Sequence, residues 1–139
     1  YGELGKRRKT LELNEKVYVL RCKVLGEQHP DTLISLSNLA TTYGDLGEYD
    51  KALELQEKVY ALRCEILGQD HPDTLTSLSN LAYTHGLLGE HRKALELQEK
   101  AYTLSCKILG EENPNTLILL NNFQILLIYQ KKWLENVLV

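Results

Sequence analysis

Three asparagines carry the most suggestive chemistry in this chain. Asn38, Asn80 and Asn122 recur 42 residues apart, inside SNLA, SNLA and NNFQ. A side-chain amide offers both a donor and an acceptor, the pairing that a peptide group needs. The same residues could instead tie neighbouring helices together by hydrogen bonds. Other reactive types are less promisingly arranged. Cys22, Cys64 and Cys106 keep the same step of 42. An odd number of thiols a whole repeat apart fits neither a disulfide framework nor Cys/His metal-ligand spacing. They are expected to be reduced, buried thiols acting as small hydrophobes. His29 and His71 precede prolines, and Asn113 replaces them in the third copy. Asparagine caps helices well and cannot act as a base, so capping is the expected role of all three. His85 and His91 replace Tyr43 and Tyr49, which suggests aromatic packing positions. No nucleophile has a plausible base, and there is no phosphate loop and no paired metal ligand set. No catalytic residue, metal or cofactor is therefore expected.

These groups are regular because the whole chain is. Gly26-x-x-His29-Pro30-Asp31-Thr32-Leu33 returns as Gly68-x-x-His71-Pro72-Asp73-Thr74-Leu75. It returns again, worn, as Gly110-x-x-Asn113-Pro114-Asn115-Thr116-Leu117. A fixed period without insertion or deletion marks a solenoid, whose repeats stack because none can bury its apolar face alone. A binding scaffold is thus favoured over an enzyme.

The bulk numbers agree. The chain has 139 residues, 43% of them hydrophobic, and a net charge of −3. That charge carries no nucleic-acid or anionic-membrane footprint. The one basic run, Lys6-Arg7-Arg8-Lys9, fits a solvated helix start. No apolar run nears the ~20 residues that span a bilayer. The first residues contain neither an initiator Met nor a signal-peptide core, and Tyr1 aligns with Tyr43 and His85 in mid-repeat. A piece of a longer cytoplasmic array is expected.

Glu3 to Leu25 places Leu11, Val17, Tyr18, Leu20, Val24 and Leu25 at helical spacing, with Gly26 as a stop. Pro30 suits a first helical position, and Asp31 complements the helix dipole. The helix that follows carries Leu33, Leu36, Leu39, Ala40 and Tyr43, then meets the turn Gly44-Asp45-Leu46-Gly47. Glu48 to Leu67 bears two apolar stripes, as a helix wedged between neighbours would. The cycle repeats over Pro72–Leu88 and Glu90–Leu109, and a last helix is expected from Pro114 to about Gln130. The spacing therefore divides the array into 1–29, the second helix of a truncated repeat, then repeats at 30–71 and 72–113. The remainder, 114–139, is divergent or truncated. There, Gln124 stands in the register of Ala40 and Ala82, Asn136 in that of Ala52 and Ala94, and both turn glycines are gone.

Leu36-x-x-Leu39-Ala40-x-x-Tyr43 with Ala52, and Leu78-x-x-Leu81-Ala82-x-x-His85 with Ala94, resemble the tetratricopeptide repeat. The longer unit, LxLxEKxYxLxxxxLGxxHPDTLxSLxNLA, is similar to the kinesin light chain subclass, whose second helix extends the usual ~34-residue repeat. The resemblance implies an all-α, right-handed superhelical solenoid of antiparallel helix pairs. It also implies a concave groove lined by the first helix of each repeat, in which Asn38, Asn80 and Asn122 reach a bound peptide backbone. Beside them on the groove side fall Ser37, Thr41, Asp45, Thr76, Ser79, Tyr83, Leu87, Ile118, Asn121, Ile125 and Tyr129. These vary between repeats while the packing residues do not, polar early and apolar late.

The expected function is a protein–protein interaction scaffold for a peptide or helical segment, a cargo or adaptor module like a kinesin light chain. The alternative is a regulatory or oligomerisation segment of a larger signalling protein. Partners are expected to be proteins or peptides, with no nucleic acid and no membrane. The C-terminal strip, with Leu126, Leu127, Ile128, Trp133, Leu134, Val137, Leu138 and Val139, is the most apolar part. It lacks the polar outer face of a terminal repeat, so a homodimer through Trp133, Leu134 and Leu138 is expected.

Overall fold

The computed structural model describes residues 2–138. Six helices and no strand occur among them: α1 (Glu3–Leu25), α2 (Pro30–Asp45), α3 (Tyr49–Leu67), α4 (Pro72–Leu87), α5 (His91–Leu109) and α6 (Pro114–Leu138). They fall into two compact units, Tyr1–Ile66 with α1 to α3 and Leu67–Val139 with α4 to α6.

Each HP or NP motif starts a helix by a specific bond. Nδ1 of His29 accepts from the Asp31 N–H at 3.1 Å, and Nδ1 of His71 from the Asp73 N–H at 3.1 Å. Asn113 Oδ1 accepts from the Asn115 N–H at 2.9 Å. Each satisfies one of the N–H groups that a helix start leaves without a partner. The expected capping role therefore holds in all three copies, and it explains why Asn can replace His.

Helix pairs are closed by the glycine turns. Gly47 and Gly89 sit at φ +79° and +83°, where a Cβ is strained. Gly44 and Gly86, by contrast, lie inside α2 and α4. The helices joined across the HP and NP linkers run antiparallel. Going up α1, Arg7, Asn14 and Arg21 bond Asp45, Thr42 and Ser35 of α2, in descending order. In the second unit Gln98 bonds the Leu119 carbonyl and Ser105 bonds Thr116, so α5 and α6 are antiparallel too.

The buried residues are those of the three–four spacing. Leu33, Leu36, Leu39 and Ala40 are buried in α2, and Leu75, Leu78, Leu81 and Ala82 in α4. Four alanines are fully enclosed: Ala40, Ala82, Ala94 and Ala101 are each 0% exposed.

The apolar stripe of α1 is largely uncovered, with Leu11 buried but Val17, Leu20, Val24 and Leu25 exposed. Two expectations need correction. The last helix does not stop near Gln130; it runs on to Leu138, because Ile128 and Lys131 fill the registers of the two turn glycines. The cysteines are free but only half-buried. Each lies one turn beyond a tyrosine. Burial, then a hydrogen bond to the Cys22 thiol, pushes the Tyr18 phenol up to about 12. Burial and the Cys64 thiol do the same to Tyr60, also to about 12. The Tyr102 phenol is raised chiefly by its bond to the Cys106 thiol. A recurring Tyr-x-x-x-Cys pair, rather than a buried hydrophobe, is what the period preserves.

Candidate peptide-binding groove

In the second unit, two hollows meet between α4 and α6. The larger, about 550 Å³, is walled by Ser79, Asn80, Tyr83, Gly86 and Leu87 of α4 and by Asn122, Ile125, Leu126 and Tyr129 of α6. Gln98 and His91 of α5 lie beneath it. The smaller, about 320 Å³, continues toward the starts of α4 and α6 through Thr76, Asn115 and Ile118. Both hollows share Ser79, Asn80 and Asn122, so these three mark the middle of one groove. It follows α4 from Pro72 to Leu87. At 1.5 Å rise per residue that is roughly 22 Å, the reach of about six or seven residues of extended chain.

Of the groove residues expected from sequence, Asn80, Asn122, Ser79, Thr76, Tyr83, Leu87, Ile118, Ile125 and Tyr129 line it. Asn121 is exposed on α6 and does not. Ser37, Asn38, Thr41 and Asp45 belong to α2 of the first unit. Some of their groups are occupied: Thr41 donates to the Ser37 carbonyl at 3.1 Å, and the Asp45 carbonyl accepts from Arg7 at 3.0 Å.

The wall is polar in the middle and apolar at one end. Tyr83 and Tyr129 are 68% and 61% exposed, large apolar surfaces beside Leu87 and Ile125. Among the described residues, the side chains of Asn38, Asn80 and Asn122 make no hydrogen bond within the protein. The amides are therefore not spent on holding helices together. That task falls to Gln98, which accepts from Ser79 at 3.2 Å and donates to the Leu119 carbonyl at 3.3 Å while 2% exposed. Gln98 did not stand out in the sequence. Its signal was there: Asn14, Gln56 and Gln98 place a polar residue in the same register every 42 residues. Asn14 does equivalent work in the first unit, donating to Thr42 at 2.8 Å.

At the apolar end, two histidines take aromatic registers. His85 is buried, and its Nδ1 lies 2.6 Å from Glu90 Oε2. A carboxylate only accepts, so Nδ1 carries the proton. The bond spans the turn and fixes it. His91 is half-buried, and its Nδ1 is enclosed without a partner. Among the described residues no group of three or more His, Cys, Asp or Glu could hold a metal, and no helix is long and apolar enough to cross a membrane.

Helix pairs on a 42-residue period, closed by Gly turns over buried alanines, fit one family, and its model decides the matter. The tetratricopeptide repeat model matches residues 1–65 and 46–107. The chain belongs to the tetratricopeptide repeat family. Solved structures agree on the subclass. The nearly identical TPR-like repeats of a Podosopora anserina protein described as a kinesin light chain share 31% identity at a TM-score of 0.79, covering 88% of this chain and 58% of that one. A variant of the same protein reaches 30% and 0.81, covering 94% and 62%. BtubC (BKLC) from P. vanneervenii shares 25% at 0.77, covering 91% and 50%. This chain thus spans between half and just over three fifths of the structures it resembles. Comparison with curated protein sequences returned no match. The repeats are kinesin light chain-like, all-α, and of a kind that serves as a protein-interaction module.

Proposed function

We propose that the α4–α6 groove holds an extended peptide of a partner protein, as an adaptor module would. The observation that carries this reading is the pair of unpartnered amides, Asn80 and Asn122, at the meeting point of two hollows. An amide can bond a peptide group only if that group is free. A helical ligand uses its backbone internally, whereas an extended one leaves it open. The larger hollow has no Lys, Arg, Asp or Glu in its wall. The stretch lying there is accordingly uncharged, with an apolar or aromatic side chain seated among Tyr83, Leu87, Ile125 and Tyr129. The chain works by binding and not by catalysis, and the likeness to kinesin light chain repeats supports a role in attaching a cargo protein. Asn38 occupies the same register in the first unit and offers an equivalent contact.

The test is a peptide array probed with the whole chain, followed by affinity measurement on the peptides retained. Asn80→Ala with Asn122→Ala should weaken binding at least tenfold, roughly 1.4 kcal/mol, while circular dichroism stays unchanged. Undiminished affinity in that double variant would remove the amides from the site.

A further inference from the structure

Three helices share one buried side chain at the floor of the groove. Gln98 of α5, 2% exposed, bonds Ser79 Oγ of α4 at 3.2 Å and the Leu119 carbonyl of α6 at 3.3 Å. The direction of both bonds is forced. A backbone carbonyl only accepts, so the amide nitrogen of Gln98 faces Leu119. The amide oxygen is thereby turned to Ser79, and it too only accepts, so the hydroxyl donates. A hydroxyl has one proton, and this one is spent inside the protein. Toward the groove, Ser79 has only lone pairs to offer. One turn earlier Thr76 is in the same state, since its hydroxyl donates to the Pro72 carbonyl at 3.1 Å. Both residues line the groove.

Two acceptors on one wall suit one edge of an extended chain. Thr76 and Ser79 stand three residues apart on a helix, with Cβ atoms about 5–6 Å from each other. An extended chain presents the N–H and C=O of every second residue along one edge, at a spacing of roughly 6.8 Å. The two spacings meet within the swing of a side chain. A ligand carbonyl against either hydroxyl would set lone pairs against lone pairs. Ser79 could receive it only by withdrawing its proton from Gln98, which would leave a buried amide oxygen without a partner. The N–H groups of the Asn80 amide remain for a carbonyl.

We infer that the α4 wall takes two backbone N–H groups from alternate residues of the bound peptide, one on Ser79 and one on Thr76. Gln98 is the positioning residue that keeps Ser79 an acceptor. The inference rests on the groove reading above and narrows it: the peptide carries no proline at either of those two positions, because proline has no N–H.

Exchange of side-chain amide protons in the free chain tests the wiring. Gln98 should exchange at least tenfold more slowly than Asn80 and Asn122, and equal rates would overturn the inference. The second test uses a peptide retained on the array, with its backbone amides replaced one at a time by esters. Each replacement removes an N–H without adding bulk. Two positions, two residues apart, should each lose at least tenfold in affinity. Ser79→Ala should abolish the loss at one of them, and Thr76→Ala the loss at the other. Gln98→Met, similar in length, should lower the Ser79-linked loss at least threefold and leave the Thr76-linked loss unchanged. A merely structural Gln98 would move both together or neither, and either result would overturn its positioning role. Ester losses that persist in both alanine variants would overturn the inference while the groove reading stands. Undiminished affinity in Asn80→Ala with Asn122→Ala would strike the amides instead and leave the hydroxyl result to be read by itself.

Discussion

Residues 86–89 and 128–131 hold the same register of the repeat, and they do opposite things. In the first, Gly86-Leu87-Leu88-Gly89 ends α4 and sends the chain back along α5, with Glu90 N–H bonded to the His85 carbonyl at 2.9 Å. In the second, Ile128-Tyr129-Gln130-Lys131 stays helical and α6 continues to Leu138. The two glycines are not equivalent. Gly86 is helical, and a Cβ there would meet Leu126 at 3.8 Å and Ala94 at 3.9 Å, ordinary contact distances. Gly89 sits at φ +83°. The turn is therefore made by the second glycine, and the change to Lys131 accounts for the straight helix. A single backbone conformation separates a closed helix pair from a projecting amphipathic one.

The comparison can be broken most strongly at the buried alanine upstream of the turn. Ala82→Gln copies Gln124 into a site with 0% exposure. It should destabilise the chain by about 3 kcal/mol, through overpacking and an amide with no partner. Urea unfolding measures this, and an unmoved midpoint would mean the α4–α5 seam can open around a glutamine.

Copying the turn residue is the next largest effect. Gly89→Lys forces a side chain into the left-handed region, at about 1–2 kcal/mol. It should lower the unfolding midpoint and speed amide exchange at Glu90 and His91. If helicity rises instead with stability unchanged, α4 and α5 have fused as α6 has, and the turn rests on Gly89 alone even more than the geometry requires.

The smallest effect has the opposite sign. Gly86→Ala meets no clash and removes conformational freedom from the unfolded chain, so it should stabilise by about 0.5–1 kcal/mol. Thermal unfolding would register the gain, and a loss would show that Gly86 serves the turn as much as Gly89 does.

Much of this molecule was legible in its residues. The period gave the helix starts, because HP and NP motifs act through bonds two residues long, such as His71 to Asp73. It gave the buried positions for the same reason: Leu75, Leu78, Leu81 and Ala82 share a face whatever the neighbours are. Most of the residues lining the two hollows between α4 and α6 share the registers singled out in the sequence. The floor of the groove was not legible there, since Gln98 acquires its task only where α4, α5 and α6 meet around it. Nor were the half-exposed cysteines, whose surroundings depend on which helix flank is covered.

What the sequence by itself determined is what depends on separations of a few residues: caps, turn glycines, helix faces and the 42-residue repeat of all three. Tertiary structure decided the rest. It chose which apolar stripes are covered, leaving most of α1 and the end of α6 open while closing α4. It also joined two hollows at Asn80 and Asn122, and it left those amides without partners. Burial and hydrogen-bond satisfaction belong to pairs of elements, and no single stretch of chain contains the other half of the pair.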